Sequence, residues 1–153
     1  MPCFIVDSML GKLVKWLRIF GYDTVYFKKI TPKSLVEIAN SEKRIILTRN
    51  LRIYEIAKPN TFIYIHSVEP DEQIKQVVSH FNLDTKSNLF SICTVCNKKV
   101  EEINKENIKN KVPDYVFQEH SLFYICPICN RIYWQGSHYQ NTTKKIEELF
   151  KET

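Results

Sequence analysis

The chain has 153 residues, 44% hydrophobic and 25% charged, with a net charge of +5 and an isoelectric point near 8.9. That length suits one ordinary domain with at most a small appendage, and the apolar share excludes a disordered chain. No apolar run can span a bilayer and residues 1–20 lack a signal-peptide pattern, so the expectation is an intracellular, cytoplasmic protein without a membrane partner, its oligomeric state open.

Phe4-Ile5-Val6 reads as a short buried strand that ends at Asp7. Ser8 stands where a helix N-cap is expected, and Met9, Leu10, Leu13, Val14, Trp16, Leu17 and Phe20 recur at helical spacing before Gly21. At roughly 100° per residue, Ser8, Lys12, Lys15 and Arg18 share the opposite face. Residues 22–27 form a second strand, and Pro32 suits the first turn of the next helix. Arg44–Thr48 is an apolar third strand ending in Arg49-Asn50, followed by a short helix with Leu51, Ile53, Tyr54 and Ile56. Thr61–Ile65 is a fourth strand, and a fourth helix opens near Glu69-Pro70-Asp71-Glu72.

This alternation predicts an α/β fold, three layers around a mainly parallel sheet with right-handed crossovers. Asp7, Lys28–Ser34, Arg49-Asn50 and Ser67–Glu72 then share the carboxyl edge, where open α/β sheets bind ligands. An aspartate there also serves to start a helix, so Asp7 alone leaves both roles open. Asp23 begins its strand, belongs to the far edge and reads as structural. Residues 82–91 read as a linker between an α/β domain of residues 1–84 and a second module of residues 85–153 that ends in a helical tail. The Lys/Glu/Asn-rich stretch 98–111 reads as a solvated face or loop.

Cys93-Thr94-Val95-Cys96 and Cys126-Pro127-Ile128-Cys129 are two knuckles that can turn four sulfurs onto one ion. Two such pairs favour structural zinc over a redox pair, and a filled tetrahedral site leaves no position for catalysis. Asn97 and Asn130 follow each knuckle and tolerate a left-handed backbone. Arg131–Trp134 suits the returning strand of a small zinc ribbon. Cys3 reads as a core filler. His138 can act as a base, touch a phosphate, or fix the ribbon by a hydrogen bond. Tyr124, Tyr133, Trp134 and Tyr139 can stack on bases or form the ribbon's own core.

Val6–Leu13, Lys15–Arg18, Gly21–Asp23, Ile46–Arg49, Val112-Pro113, the two knuckles and Tyr133–His138 together resemble the Mut-seven C-terminal ribonuclease domain family. The resemblance runs in order from about residue 4 to about residue 140. It implies a PIN-like nuclease fold with a C-terminal zinc ribbon, and metal-dependent cleavage of RNA by acids at the carboxyl edge. Phosphodiester hydrolysis calls for one or two Mg²⁺ or Mn²⁺ ions held by carboxylates and the substrate phosphate. Asp7 matches the family's first acid. Asn50 replaces the aspartate normally found after Leu-Thr-Arg, and Ser34 lies where another acid is expected. Asp71, with Glu69 and Glu72, either compensates or merely starts its helix.

Asp7, Asn50 and Asp71 are therefore the candidate catalytic set, with Mg²⁺ or Mn²⁺ at Asp7. Lys12, Lys15, Arg18, Arg49 and Arg52 are the candidate RNA contacts, and Cys93, Cys96, Cys126 and Cys129 the candidate zinc ligands. The leading expectation is a ribonuclease with a partly degenerate acidic site. The alternatives are an inactive RNA- or ribosome-binding protein on the same scaffold, and a zinc-ribbon adaptor that binds protein.

Overall fold

Strands β1 (Phe4–Val6), β2 (Thr24–Tyr26), β3 (Ile45–Thr48) and β4 (Phe62–Tyr64) pair in parallel in the order β2-β1-β3-β4 in the computed structural model, which describes residues 1–151. Helices α1 (Gly11–Ile19), α2 (Pro32–Glu42), α3 (Ile53–Ile56) and α4 (Pro70–Phe81) alternate with the strands. Side chains alternate across the sheet, as a pleat requires. Phe4, Val6 and Leu47 join a core with α1 and α4, while Ile5 and Ile46 face Leu35, Ala39 and Ile53 of α2 and α3. Three layers result, with all of β1 buried.

Local chemistry sets the helix ends. Thr31 caps α2 by accepting the Ser34 amide, with Pro32 in the first turn, and Lys43 closes the helix in the left-handed region. Asn82 closes α4 in the same way. The start of α1 departs from expectation: Ser8 is not its cap. The Ser8 hydroxyl donates to Asp7 Oδ1, and the Leu10 amide bonds the Asp7 carbonyl. This turn moves the helix start to Gly11, buries Leu10 and leaves Met9 62% exposed.

The stretch 82–91 is packed rather than loose. Leu83 is buried, the Phe90 amide bonds the Ile19 carbonyl, and Tyr22 Oη donates to the Asp84 carbonyl. Gly21, at φ 95°, permits the approach: a Cβ there would meet Asn88 O at 2.6 Å.

Beyond it, β5 (Glu101–Ile103), β6 (Phe123–Ile125) and β7 (Ile132–Tyr133) form an antiparallel ribbon. Stretch 98–111 is mostly exposed, as a solvated face is, but it is not a plain loop. It holds β5 and a 3₁₀ turn (Lys105–Ile108), and Ile108 joins Val112, Val116 and Phe123 in a small core with α5 (Asp114–Glu119). Helix α6 (Ser137–Leu149) leaves the ribbon and packs on the larger domain. Ile146 and Leu149 enter the core of Phe4 and Leu17, and the Phe150 ring lies 6.4 Å from Phe20. The C-terminal helix thus packs into the core beside the parallel sheet. No described helix is long and apolar enough to cross a membrane.

Candidate nucleic-acid interface and metal centre

In the order β2-β1-β3-β4 the chain runs outward in both directions from the β1/β3 pair. Such a switch point leaves a crevice at the carboxyl ends of the two strands. Asp7 leaves β1 there and Thr48 ends β3 beside it. Thr48 Oγ1 donates to Asp7 Oδ2 at 2.6 Å and accepts the Asn50 amide at 3.0 Å. Ser8 Oγ donates to the other Asp7 oxygen at 3.2 Å. The carboxylate is buried, 8% exposed, and opens onto a crevice of about 20 Å³ shared with Asn50 and floored by Leu35 and Ile53. That space holds about one water.

Asn50 and Asp7 therefore line one crevice, but Asn50 Oδ1 accepts the Arg52 amide at 3.0 Å and holds the turn into α3. Asp71 does not join them. It lies in the first turn of α4 and faces Lys145 of α6 at 3.8 Å. Ser34 lies in a shallow hollow with Ser8, Lys28 and Lys29.

The cations divide by what their side chains touch. Lys12, Lys15 and Arg52 are exposed. Arg49 donates to the Ile65 carbonyl at 2.8 Å and lies 6.0 Å over the Tyr64 ring. Arg18 is a clasp: its guanidinium donates to the Thr24 carbonyl at 2.9 and 3.1 Å and to the Thr94 carbonyl at 3.0 Å. Burial, offset in part by Cys93 and Asp23, lowers its pKa from the ordinary value. These bonds face the ribbon rather than the carboxyl rim.

Sequence reasoning passed over Thr48, named only as the end of an apolar strand, and Lys28 and Lys29, which stand exposed after β2. It also passed over an apolar set. Each of the four rim loops carries one exposed apolar side chain: Met9 at 62%, Phe27 at 43%, Leu51 at 65% and Val68 at 69%. They stand one to four residues beyond the ends of their strands, on the same edge of the sheet as Asp7.

At the opposite rim the four cysteines converge, with all Sγ atoms within 4.8 Å of one another. Metal–sulfur bonds of about 2.3 Å in a tetrahedron require sulfurs about 3.8 Å apart. Cys93 and Cys129 Sγ stand at 3.7 Å. Asn97 and Asn130 both take positive φ, 57° and 61°, as the knuckle turns require. Burial pushes the Cys93 thiol up, but the Tyr133 hydroxyl, donating at 3.2 Å, and backbone amides of the knuckle bring it to about 6. Burial and the neighbouring sulfurs push Cys96 to about 12. Four crowded thiols cannot all ionise without a cation among them. The cluster can hold a structural metal ion, and it is the only convergent group of three or more His, Cys, Asp or Glu among the described residues.

The first knuckle is keyed to the sheet by Asn97. Its Oδ1 accepts the Thr24 amide at 2.9 Å and its Nδ2 donates to Asp23 Oδ1 at 2.6 Å. Asp23 also holds Arg44 at 2.8 Å. Hydrogen bonds from Arg44 and Asn97 outweigh the effect of burial and hold the Asp23 carboxyl below its ordinary value. The cysteine cluster and Asp7 thus occupy opposite edges of the sheet. His138 is exposed at the start of α6, its ring 5.7 Å from Phe90.

No curated protein matches the chain. The family model described as the Mut7-C RNAse domain matches residues 2–146, which spans the sheet, the rim crevice, the cysteine ribbon and most of α6. The chain belongs to the Mut7-C RNAse domain family.

Proposed function

We propose that this chain acts on RNA, gripping the phosphate backbone along the carboxyl rim, with Asp7 as the one acid available for metal-dependent phosphodiester cleavage. The observation that carries the reading is the position of Asp7 at the β1/β3 switch point, in a rim of cations and exposed apolar side chains. Lys12, Lys28, Lys29 and Arg52 suit phosphates, and Arg49 has guanidinium donors beyond its bond to Ile65. Met9, Phe27, Leu51 and Val68 offer faces on which bases can lie. The PIN-like architecture expected from the sequence fits this edge as the working one.

The donor set fits Mg²⁺ or Mn²⁺ weakly. One carboxylate is present, both its oxygens already accept hydroxyls, and Asn50 and Asp71 are engaged elsewhere. A dication bound with the substrate supplies a polarised water and offsets charge on the leaving oxygen. The chain's own part is to orient Asp7 through Thr48 and Ser8. The same geometry supports a second reading, an RNA-binding protein without cleavage, because charge from fixed carboxylates is what offsets dehydration of the ion. For the cysteine cluster, the four-thiolate donor set is that of zinc, in a structural role.

A cleavage assay on single-stranded RNA with manganese tests the reading. Cleavage by the native chain that disappears in Asp7→Ala supports it. RNA binding without cleavage selects the second reading, and absence of both rejects the rim altogether.

A further inference from the structure

A second concave surface shares no lining residue with the crevice at Asp7. Helix α1, α5, the ribbon and the start of α6 enclose a cleft of about 510 Å³, within the size range of small-ligand sites. Its lining includes Phe90, Tyr115, Tyr133 and Tyr139, the cations Lys15 and Arg131, and one carboxylate, Glu119. Part of this aromatic lining is fixed by the fold. Tyr133 Oη donates to Cys93 Sγ, and Phe90 packs 6.4 Å from Tyr133 and 5.6 Å from Tyr139. Tyr115 is different. It stands 65% exposed on α5, outside the ribbon core formed by its neighbour Val116. Lys15 and Arg131 are exposed and have no ion-pair partner among the described residues.

Rigid aromatic faces flanked by free cations are the recurring chemistry of single-stranded nucleic-acid sites, where bases stack and phosphates meet Lys or Arg. We propose that this cleft binds an unpaired nucleotide of single-stranded RNA, its base against Tyr115 and its phosphates on Lys15 and Arg131. The proposal rests on RNA being the polymer handled at the carboxyl rim. Lys15 lies one turn of α1 from Lys12, so a strand leaving the cleft meets the rim cations next. A paired base has its faces covered by its neighbours in the stack, so the cleft selects single strands, whereas the rim lysines hold the phosphates of either form.

The test is fluorescence anisotropy with a labelled oligouridylate and a blunt RNA duplex of equal length. The native chain is compared with Tyr115→Ala, a Lys15→Ala/Arg131→Ala double variant, and a rim double variant, Lys28→Ala/Lys29→Ala. All four substituted cleft and rim cations and Tyr115 are exposed, and metal content checks that each variant retains its ribbon. Tyr115→Ala is expected to weaken single-strand binding by at least about fivefold and to leave duplex binding within about twofold, while the rim variant weakens both. Unchanged single-strand binding in both cleft variants, with the rim variant impaired, overturns the cleft and leaves the rim in place. Impaired cleft variants beside an unaffected rim variant keep the cleft and reject the rim. Native protein that binds neither RNA rejects both.

Discussion

Thr48 Oγ1 donates 2.6 Å to the Asp7 carboxylate while accepting the Asn50 amide at 3.0 Å, so one hydroxyl ties together the ends of β1 and β3. Thr48→Val keeps the shape and removes the link, leaving a buried carboxylate short of a donor and an amide short of an acceptor. Hydrogen bonds to charged groups contribute about 2 kcal/mol, and a loss of that order is expected in urea denaturation at pH 7. Thr48→Ser should recover most of it. A Val variant as stable as the native chain would show that the link is incidental.

Asn50→Asp restores a second carboxylate to the crevice that Asp7 lines. The shorter-range change is small, since an aspartate oxygen can still accept the Arg52 amide. Manganese affinity, read by calorimetry, is expected to rise by about tenfold or more as fixed charge in the crevice doubles. Equal affinity in the two proteins would mean that residues 7 and 50 do not share an ion.

The division of cations predicts different salt behaviour. Lys28→Ala and Lys29→Ala should each lower the slope of log affinity against log salt by about 1. Arg18→Ala should leave the slope unchanged and lower the melting midpoint, because its guanidinium holds carbonyls of Thr24 and Thr94. Arg18→Lys should not rescue it, since an ammonium lacks the planar fork that reaches both. A shallower slope in Arg18→Ala would return Arg18 to the RNA contacts.

Metal retention should depend steeply on pH. Cys93 lies at about 6 and Cys96 at about 12, so binding an ion at neutral pH expels the protons that remain on the thiols. Affinity therefore rises with pH and falls as acid restores those protons. Release of the bound ion to a chelating dye should accelerate below about pH 6, with loss of the ribbon's amide-exchange protection. A ribbon that stays protected after complete metal removal would contradict a structural ion.

Asp23 has a folded-state pKa below its ordinary value of 3.8. Its contribution is present above that value and disappears as pH falls through the lower folded one. The carboxylate is 51% exposed, so solvent screening limits the expected loss in Asp23→Ala to about 1 kcal/mol at pH 7. Native and variant stabilities should converge in strong acid. A folded variant that has lost RNA cleavage but not stability would place Asp23 in the site instead.

The parallel sheet was readable because β1 and β3 are apolar on both faces, and alternating strands and helices admit few topologies. The cysteine cluster was readable because spacing alone brings its sulfurs together. Three features were not. Arg18 shares a helical face with Lys12 and Lys15, and only the docked knuckle decides that it faces carbonyls. Asp71 has the composition of a rim acid, yet α6, distant in sequence, supplies its partner Lys145. In residues 98–111 a single inward isoleucine per element carries the packing, too sparse a pattern to show a period.

The return of α6 has a consequence for how the molecule is made. Phe4, Leu17 and Phe20 wait for Ile146, Leu149 and Phe150, contacts that close across nearly the whole span of described residues. Such long-range closure is slow, so during synthesis the sheet emerges with one side of its first helix bare until the ribbon has formed and the final helix swings back.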